Sequence, residues 1–333
     1  MNHSRALKLL LKRGALVTAA NWPVVVVQFV ADTLFDALLA VPVAGGVVLV
    51  MLLVGAEPGA LLRMEYRQVL PALIGALVAQ PFALAAFLGA LALVAGGGSV
   101  LMFAVKAGTL TVLVAGERAA GAIELPPLHL ATLAGANQFS IDRFTRGMGH
   151  LFRRFLSLGA VLACAYALAV GAYAVLVFGP PMVSHLGGTL LVTMASMWLI
   201  GLITIINFVY LLTQIVMAAD DCGVAKAVSR VARLIVREAR PIVGVLGAIL
   251  GLMVLATAAS VLATAALGLI AFVPFVGLAA LPLQLAAWLL RGLVFQYISL
   301  AGAAAYVRLH ERTRVAEAGE RLAPAGWDGA TAR

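Results

Sequence analysis

Residues 241–268 read PIVGVLGAILGLMVLATAASVLATAALG and contain no charged residue. As a helix this stretch is about 42 Å long at 1.5 Å per residue, more than a hydrocarbon core of about 30 Å requires. It shows no alternation of polar and apolar residues, so it is not a strand of a barrel. The segment before it, KAVSRVARLIVREAR at 226–240, has the opposite character. Its basic residues recur at helical spacing beside Val, Leu and Ile. A basic amphipathic helix leading into an apolar span is therefore the local unit.

Working outward, apolar stretches of the same kind occur at 24–41, 42–56, 69–95, 99–116, 156–178, 186–217, 241–268 and 278–307. The predicted fold class is an all-α polytopic transmembrane bundle of about eight membrane segments, within a range of six to eight, with interfacial basic amphipathic helices. Residues 24–56 are long for one span and short for two. A hairpin or re-entrant pair turning near Pro42, Gly45 and Gly46 is the expectation, with a single kinked span as the alternative. The N-terminus is basic, but the apolar run after it is too long for a cleavable leader.

Composition agrees. Of 333 residues, 63% are hydrophobic and 11% charged, with a mean hydropathy of +1.08. An average soluble domain carries about 25% charged residues. A soluble enzyme, a disordered chain and a disulfide scaffold are excluded, the last because there are two cysteines. Cys164 and Cys222 have no CxxC or His partner nearby in sequence and read as ordinary small residues.

The net charge is +9, and 21 of the 23 basic residues lie between spans or at the ends. They fall in 1–21, 57–68, 117–155, 218–240 and the tail, while the intervening connections carry none. Positive residues mark the cytoplasmic side, so both termini are expected there and the number of crossings is even. Arginine supplies 19 of the 23. With the Ala, Gly, Val and Leu bias, this points to the cytoplasmic membrane of a bacterium.

The basic residues form helical stripes. Arg5, Lys8 and Lys12 are one set. Arg143, Arg146, His150 and Arg153 are a second. Lys226, Arg230, Arg233, Arg237 and Arg240 are a third. Arg143, Arg146, Arg153 and the whole third set are the predicted lipid-surface residues, suited to anionic headgroups. The stripes imply repeated units of a surface helix plus a helical hairpin, at 1–56, 57–116, 117–217 and 218–307. Together they form one transmembrane domain over 1–310, and 311–333 is expected to be a flexible cytoplasmic tail. Asp220 and Asp221 precede the third stripe and read as an N-cap.

The unit from Asp220 onward begins DDCGVAKAVSRVARLIVREARPIVGVLGAIL, continues through IAFVPFVGLAALPLQLAAWLL and ends YVRLHERTR. Residues 220–314 resemble the membrane domain attached to some glycerophosphoryl diester phosphodiesterases and related stand-alone multi-pass bacterial proteins. The resemblance implies a membrane architecture. It carries no activity across, because the soluble phosphodiesterase barrel has no counterpart in this sequence.

Charges inside spans are costly and invite a functional reading. Asp32 and Asp36 share a helix face with Gln28. Lys106 lies within 99–116, and Arg291 within the last span. These four form the candidate intramembrane polar cluster, in which Lys106 would pair with Asp32 or Asp36. A structural ion pair or a wetted helix stripe competes with that reading. Asn207 and Gln214 lie seven residues apart and suit helix–helix hydrogen bonding.

There is no HExxH, Walker A or GxSxG motif. The longest segment between spans is too short for a catalytic domain. Catalytic residues, metal ligands and cofactors are not expected, nor is a nucleic-acid partner. The expected function is that of an accessory or scaffold subunit organising membrane partners or anionic lipid. A small transporter or lipid-handling permease using the Asp/Lys cluster is the alternative.

Overall fold

The structure is a computed structural model and describes residues 3–54, 75, 79–125, 130–178, 185–271 and 276–322. Among the described residues there are nine helices and no strand. They are α1 (His3–Ala20), α2 (Trp22–Val54), α3 (Pro81–Ala119), α4 (Leu130–Ala136), α5 (Ile141–Phe178), α6 (His185–Asp220), α7 (Val224–Arg237), α8 (Ala239–Ala271) and α9 (Val276–Leu322). Six of them, α2, α3, α5, α6, α8 and α9, contain candidate membrane spans. The chain is an all-α polytopic helical bundle.

The six candidate spans fall within the expected range of six to eight, and the first half of the chain shows where two expected breaks are absent. Residues 24–56 do not turn at Pro42, because α2 continues through Pro42, Gly45 and Gly46 to Val54. Likewise α3 runs unbroken through Gly96, Gly97 and Gly98, so 99–116 is not a separate span. Proline removes one helical hydrogen bond and glycine costs backbone entropy. In lipid, however, a broken helix leaves several polar groups with no water to bind, so continuing the helix is favoured. Pro81 opens α3, at the helix start where its missing N–H costs nothing.

The chain divides into two compact units, residues 27–105 and residues 1–26 with 106–333. In the smaller unit, Phe35 lies against Gly98 and Phe87 against Gly46. As one helix advances the other recedes, so α2 and α3 are antiparallel there. The glycines matter because a Cβ at either site would collide with the ring.

In the larger unit the core sits at one end of the spans. Its largest fully buried side chains include Val17, Leu113, Phe155, Leu212, Ile215, Met217 and Ile242. All lie close to charged segments of the sequence. Away from that end the same helices turn large apolar side chains outward. Leu168 is 75% exposed and Leu262 71%, and Val254 and Leu290 are similar. In water such surfaces would drive aggregation, whereas in a bilayer they are covered by acyl chains.

Helix α1 does not lie flat beside the bundle. It packs along the far part of α9, where Gly14 meets Ala301 and Ala305 and the Tyr297 hydroxyl donates to the Ala15 carbonyl at 3.0 Å, and its Leu7 touches Gly244 of α8. The chain's two described ends therefore meet at the same end of this unit. The set Arg143 to Arg153 is also not a separate surface helix, because α5 carries it straight into the apolar run 156–178. Only α7 keeps the expected form. It buries Ala227, Val231 and Leu234, four and three residues apart, and leaves Lys226, Arg233 and Arg237 outside. Residues 311–322, expected to be flexible, continue α9 as helix.

The close approach of α1 to α9 yields a test. A Cβ at Gly14 would fall 2.8 Å from the Ala305 nitrogen, a backbone atom that cannot swing aside. Gly14→Ala is expected to cost at least about 1 kcal/mol by overpacking. Gly45, with nothing within 4 Å, is the control. Gly45→Ala should be neutral or stabilising by up to about 1 kcal/mol. Thermal unfolding of both variants in detergent checks this, and equal midpoints would refute the close contact.

Candidate functional site

The charged residues of the larger unit form three connected clusters where the spans end. The first is built on Arg13 of α1, which is 3% exposed. A guanidinium has five N–H donors, and Arg13 uses them all. Its Nε donates to Glu117 Oε1 at 2.7 Å. Its Nη1 donates to Glu124 Oε2 at 2.6 Å and to the Gly121 carbonyl at 2.7 Å. Its Nη2 donates to the carbonyls of Ala120 at 2.9 Å and Glu117 at 3.3 Å. Three of these acceptors are backbone carbonyls at or just beyond the end of α3, where a helix has unsatisfied oxygens and a partial negative charge. Arg308 of α9 approaches the same carboxylates, at 3.4 Å from Glu117 and 3.9 Å from Glu124. Lys12 Nζ donates to the Glu124 carbonyl at 2.9 Å.

The second cluster surrounds Asp220, at the end of α6, whose side chain is 4% exposed. Its Oδ2 accepts from Arg230 of α7 and lies 3.1 Å from His310 Nε2 of α9. Its Oδ1 lies 3.5 Å from Arg314. Arg314 also reaches Glu311 at 3.4 Å, and Glu311 accepts from Arg118 of α3 at 2.8 Å. Arg118 in turn donates to the Ala219 carbonyl at 2.5 Å, near the end of α6. Helices α3, α6, α7 and α9 are thereby tied together by charge.

The third cluster centres on Asp221, which pairs with His150 at 2.8 Å and with Arg154 of α5. Its φ of +48° stops α6 in the left-handed region, an unusual position for a non-glycine residue. Here the reading of Asp220 and Asp221 as an N-cap is overturned. The N-cap of α7 is Gly223, with no side-chain cap hydrogen bond. Both aspartates turn to arginines and histidines on other helices, and charge-assisted bonds of this kind outweigh a neutral cap bond.

Two carboxylates outside the spans titrate low. Burial acts to raise Glu124, but its own backbone N–H and Arg13 outweigh burial and lower it. Asp221 is lowered chiefly by its hydrogen bond to His150, with Arg154 adding to it against a small burial penalty. A depressed carboxylate contributes stability above its unfolded value, and that contribution is lost as pH falls through the folded value. For Asp221 the ordinary value is 3.8. Its link to α5 is therefore expected to be intact above about pH 4 and to weaken below it. Hydrogen exchange of the α6–α7 turn at pH 5 and at pH 3 reads this, and unchanged protection would count against the pairing.

The predicted surface residues divide. Arg230 is bound to Asp220, Arg237 to Glu317 at 2.9 Å, and Arg143 to Gln138. Arg146 donates to the Asp142 carbonyl at 3.2 Å. Arg153, Lys226, Arg233 and Arg240 are exposed and have no carboxylate partner among the described residues. Of the predicted intramembrane set, Asp32 accepts from Gln28 at 3.4 Å in the smaller unit, where Asp36 also lies, and Lys106 is the first residue of the returning part of the larger unit. Arg291 sits over the Phe295 ring at 5.6 Å beside an apolar groove between α8 and α9. Asn207 does serve helix contact, accepting from the Tyr166 hydroxyl of α5. Gln214 is buried, with its Nε2 unbonded among the described residues.

Sequence reasoning missed Arg13, Glu117, Glu124 and His310. A usable signal was present: Glu117 and Glu124 are two of only three acids, with Asp142, in a basic connection of several arginines. Among the described residues no group of three His, Cys, Asp or Glu side chains is placed to hold a metal ion. What the arrangement can do is bind anions: its own acids are largely consumed internally, and cations remain outside. No protein-family model, curated protein or solved structure matches this chain.

Proposed function

We propose that this protein is a membrane scaffold or accessory subunit, without catalytic activity, that organises anionic lipid and membrane partners at its charged end. The observation that carries the reading is the unequal fate of the charges there. Glu117, Glu124, Asp220, Asp221, Glu311 and Glu317 are held in ion pairs, while Asp142 and Glu238 have none among the described residues. Arg153, Lys226, Arg233 and Arg240 are exposed, with no carboxylate partner among the described residues. Each such cation contributes about 1 kcal/mol near an anionic membrane surface. Rigid apolar arms hold this cationic face at one depth, which suits a bacterial cytoplasmic membrane with both termini inside.

Native mass spectrometry after mild extraction tests this. The expected result is co-isolated phosphatidylglycerol or cardiolipin in preference to zwitterionic lipid, with the excess lost as salt rises. Retention of neutral lipid alone, unaffected by salt, would contradict it.

A further inference from the structure

A cavity lies between α7 and the far part of α9. It has a volume of about 430 Å³ and is walled by Arg230, Arg233, His310, Thr313 and Arg314, with Asp220 at its floor. Glu317 completes the rim and is held by Arg237, 2.9 Å away. Apolar lining comes from Leu234 and Ala318. The volume is in the range of small-ligand sites, roughly 300–1,000 Å³.

We propose that this cavity is a specific binding site for a phosphate-bearing anion, either a lipid headgroup or free phosphate. The inference rests on the anionic-lipid reading above and narrows it to one place. The lone charge of Asp220 is shared among Arg230, Arg314 and His310. Arg230 spends only its Nη1 on Asp220, so further donors of that guanidinium remain for a ligand. Arg233 has no acidic partner among the described residues and lines the cavity. With Arg237 set against Glu317, the two remaining positive charges are uncompensated before His310 is counted. Planar guanidinium groups fixed on two helices present paired N–H donors to phosphate oxygens, and Arg suits this better than Lys. Because Asp220 already holds Arg230 and Arg314 in position, a ligand meets a preformed cradle and little side-chain entropy is lost on binding.

The test uses the full chain in nanodiscs and two variants that each remove one exposed cation from α7. Arg233→Gln takes a charge from the cavity. Lys226→Gln takes one from outside it. Among the described residues neither has an ion pair to break. In phosphatidylcholine nanodiscs, inorganic phosphate is titrated against chloride at equal ionic strength, with the thermal midpoint as readout. In a second arm, phosphatidylglycerol is mixed with phosphatidylcholine and the lipid retained on extraction is counted.

In at least one arm Arg233→Gln is expected to weaken binding about tenfold, while Lys226→Gln changes it less than twofold. A loss in the phosphate arm alone assigns the site to a free anion, and a loss in the lipid arm assigns it to a headgroup. Equal losses in both variants would overturn the specific site and leave the general lipid reading standing. No preference for either anion in the unsubstituted protein would overturn both.

Discussion

Replacing Arg13 by alanine is expected to cost about 3–5 kcal/mol and to give the largest loss of any single substitution in the chain. This is the range for breaking a buried ion pair from one side. The cost arises because Glu117 is nearly fully buried, with a side-chain exposure of 2%, and would lose its closest cation. Arg308 stands 3.4 Å away and is too exposed to replace the five bonds of Arg13. Carbonyl groups of Glu117, Ala120 and Gly121 would lose their donor at the same time. Adding Glu117→Gln to the alanine variant should restore part of the loss, since no buried charge is then left alone. Thermal unfolding of the single and double variants measures both effects. A loss under about 1 kcal/mol would mean that Arg13 is a surface pair and not a buried organiser.

Asp220→Ala is expected to follow, at about 3 kcal/mol, the lower end of the same range. Here the acid is removed and three basic groups are left. Arg230 and Arg314 are 30% and 50% exposed and can turn to water, which moderates the cost. His310 is buried and cannot. Because the lost contacts join α6 to α7 and α9, α7 should loosen first. Hydrogen exchange should rise across Val224–Arg237 while α5 keeps its protection. Uniform loosening of the whole bundle would contradict the assignment.

The architecture was legible because bilayer physics is simple. An uncharged stretch such as 241–268 has to be a helix in lipid, and it lies within α8. Periodicity alone also located the amphipathic face of α7. The first half was misread at Pro42 and Gly96–Gly98 because the cost of those residues is a soluble-protein cost. The clusters were misread for another reason. Spacing along a helix shows that Lys226, Arg230 and Arg237 share a stripe, but not which of them meets an acid from a distant helix. Asp220 lies 10 residues from Arg230 and 90 from His310, and only the fold brings the three together. The same holds for Arg13 and Glu117, 104 residues apart.

A single cationic face requires all the charged segments to lie on one side of the membrane. Single cysteines placed in a protein freed of Cys164 and Cys222 test this directly. Positions Ser4, Ser140, Gly223 and Ala318 represent the charged end. Phe178 and Ala271, where α5 and α8 finish, represent the other. In sealed vesicles of known orientation, a membrane-impermeant maleimide should label the first four from one side and the last two from the opposite side only. Labelling of Ser4 and Gly223 from different sides would separate the Arg13 cluster from the Asp220 cluster, and with them break the reading of this end as one cationic face.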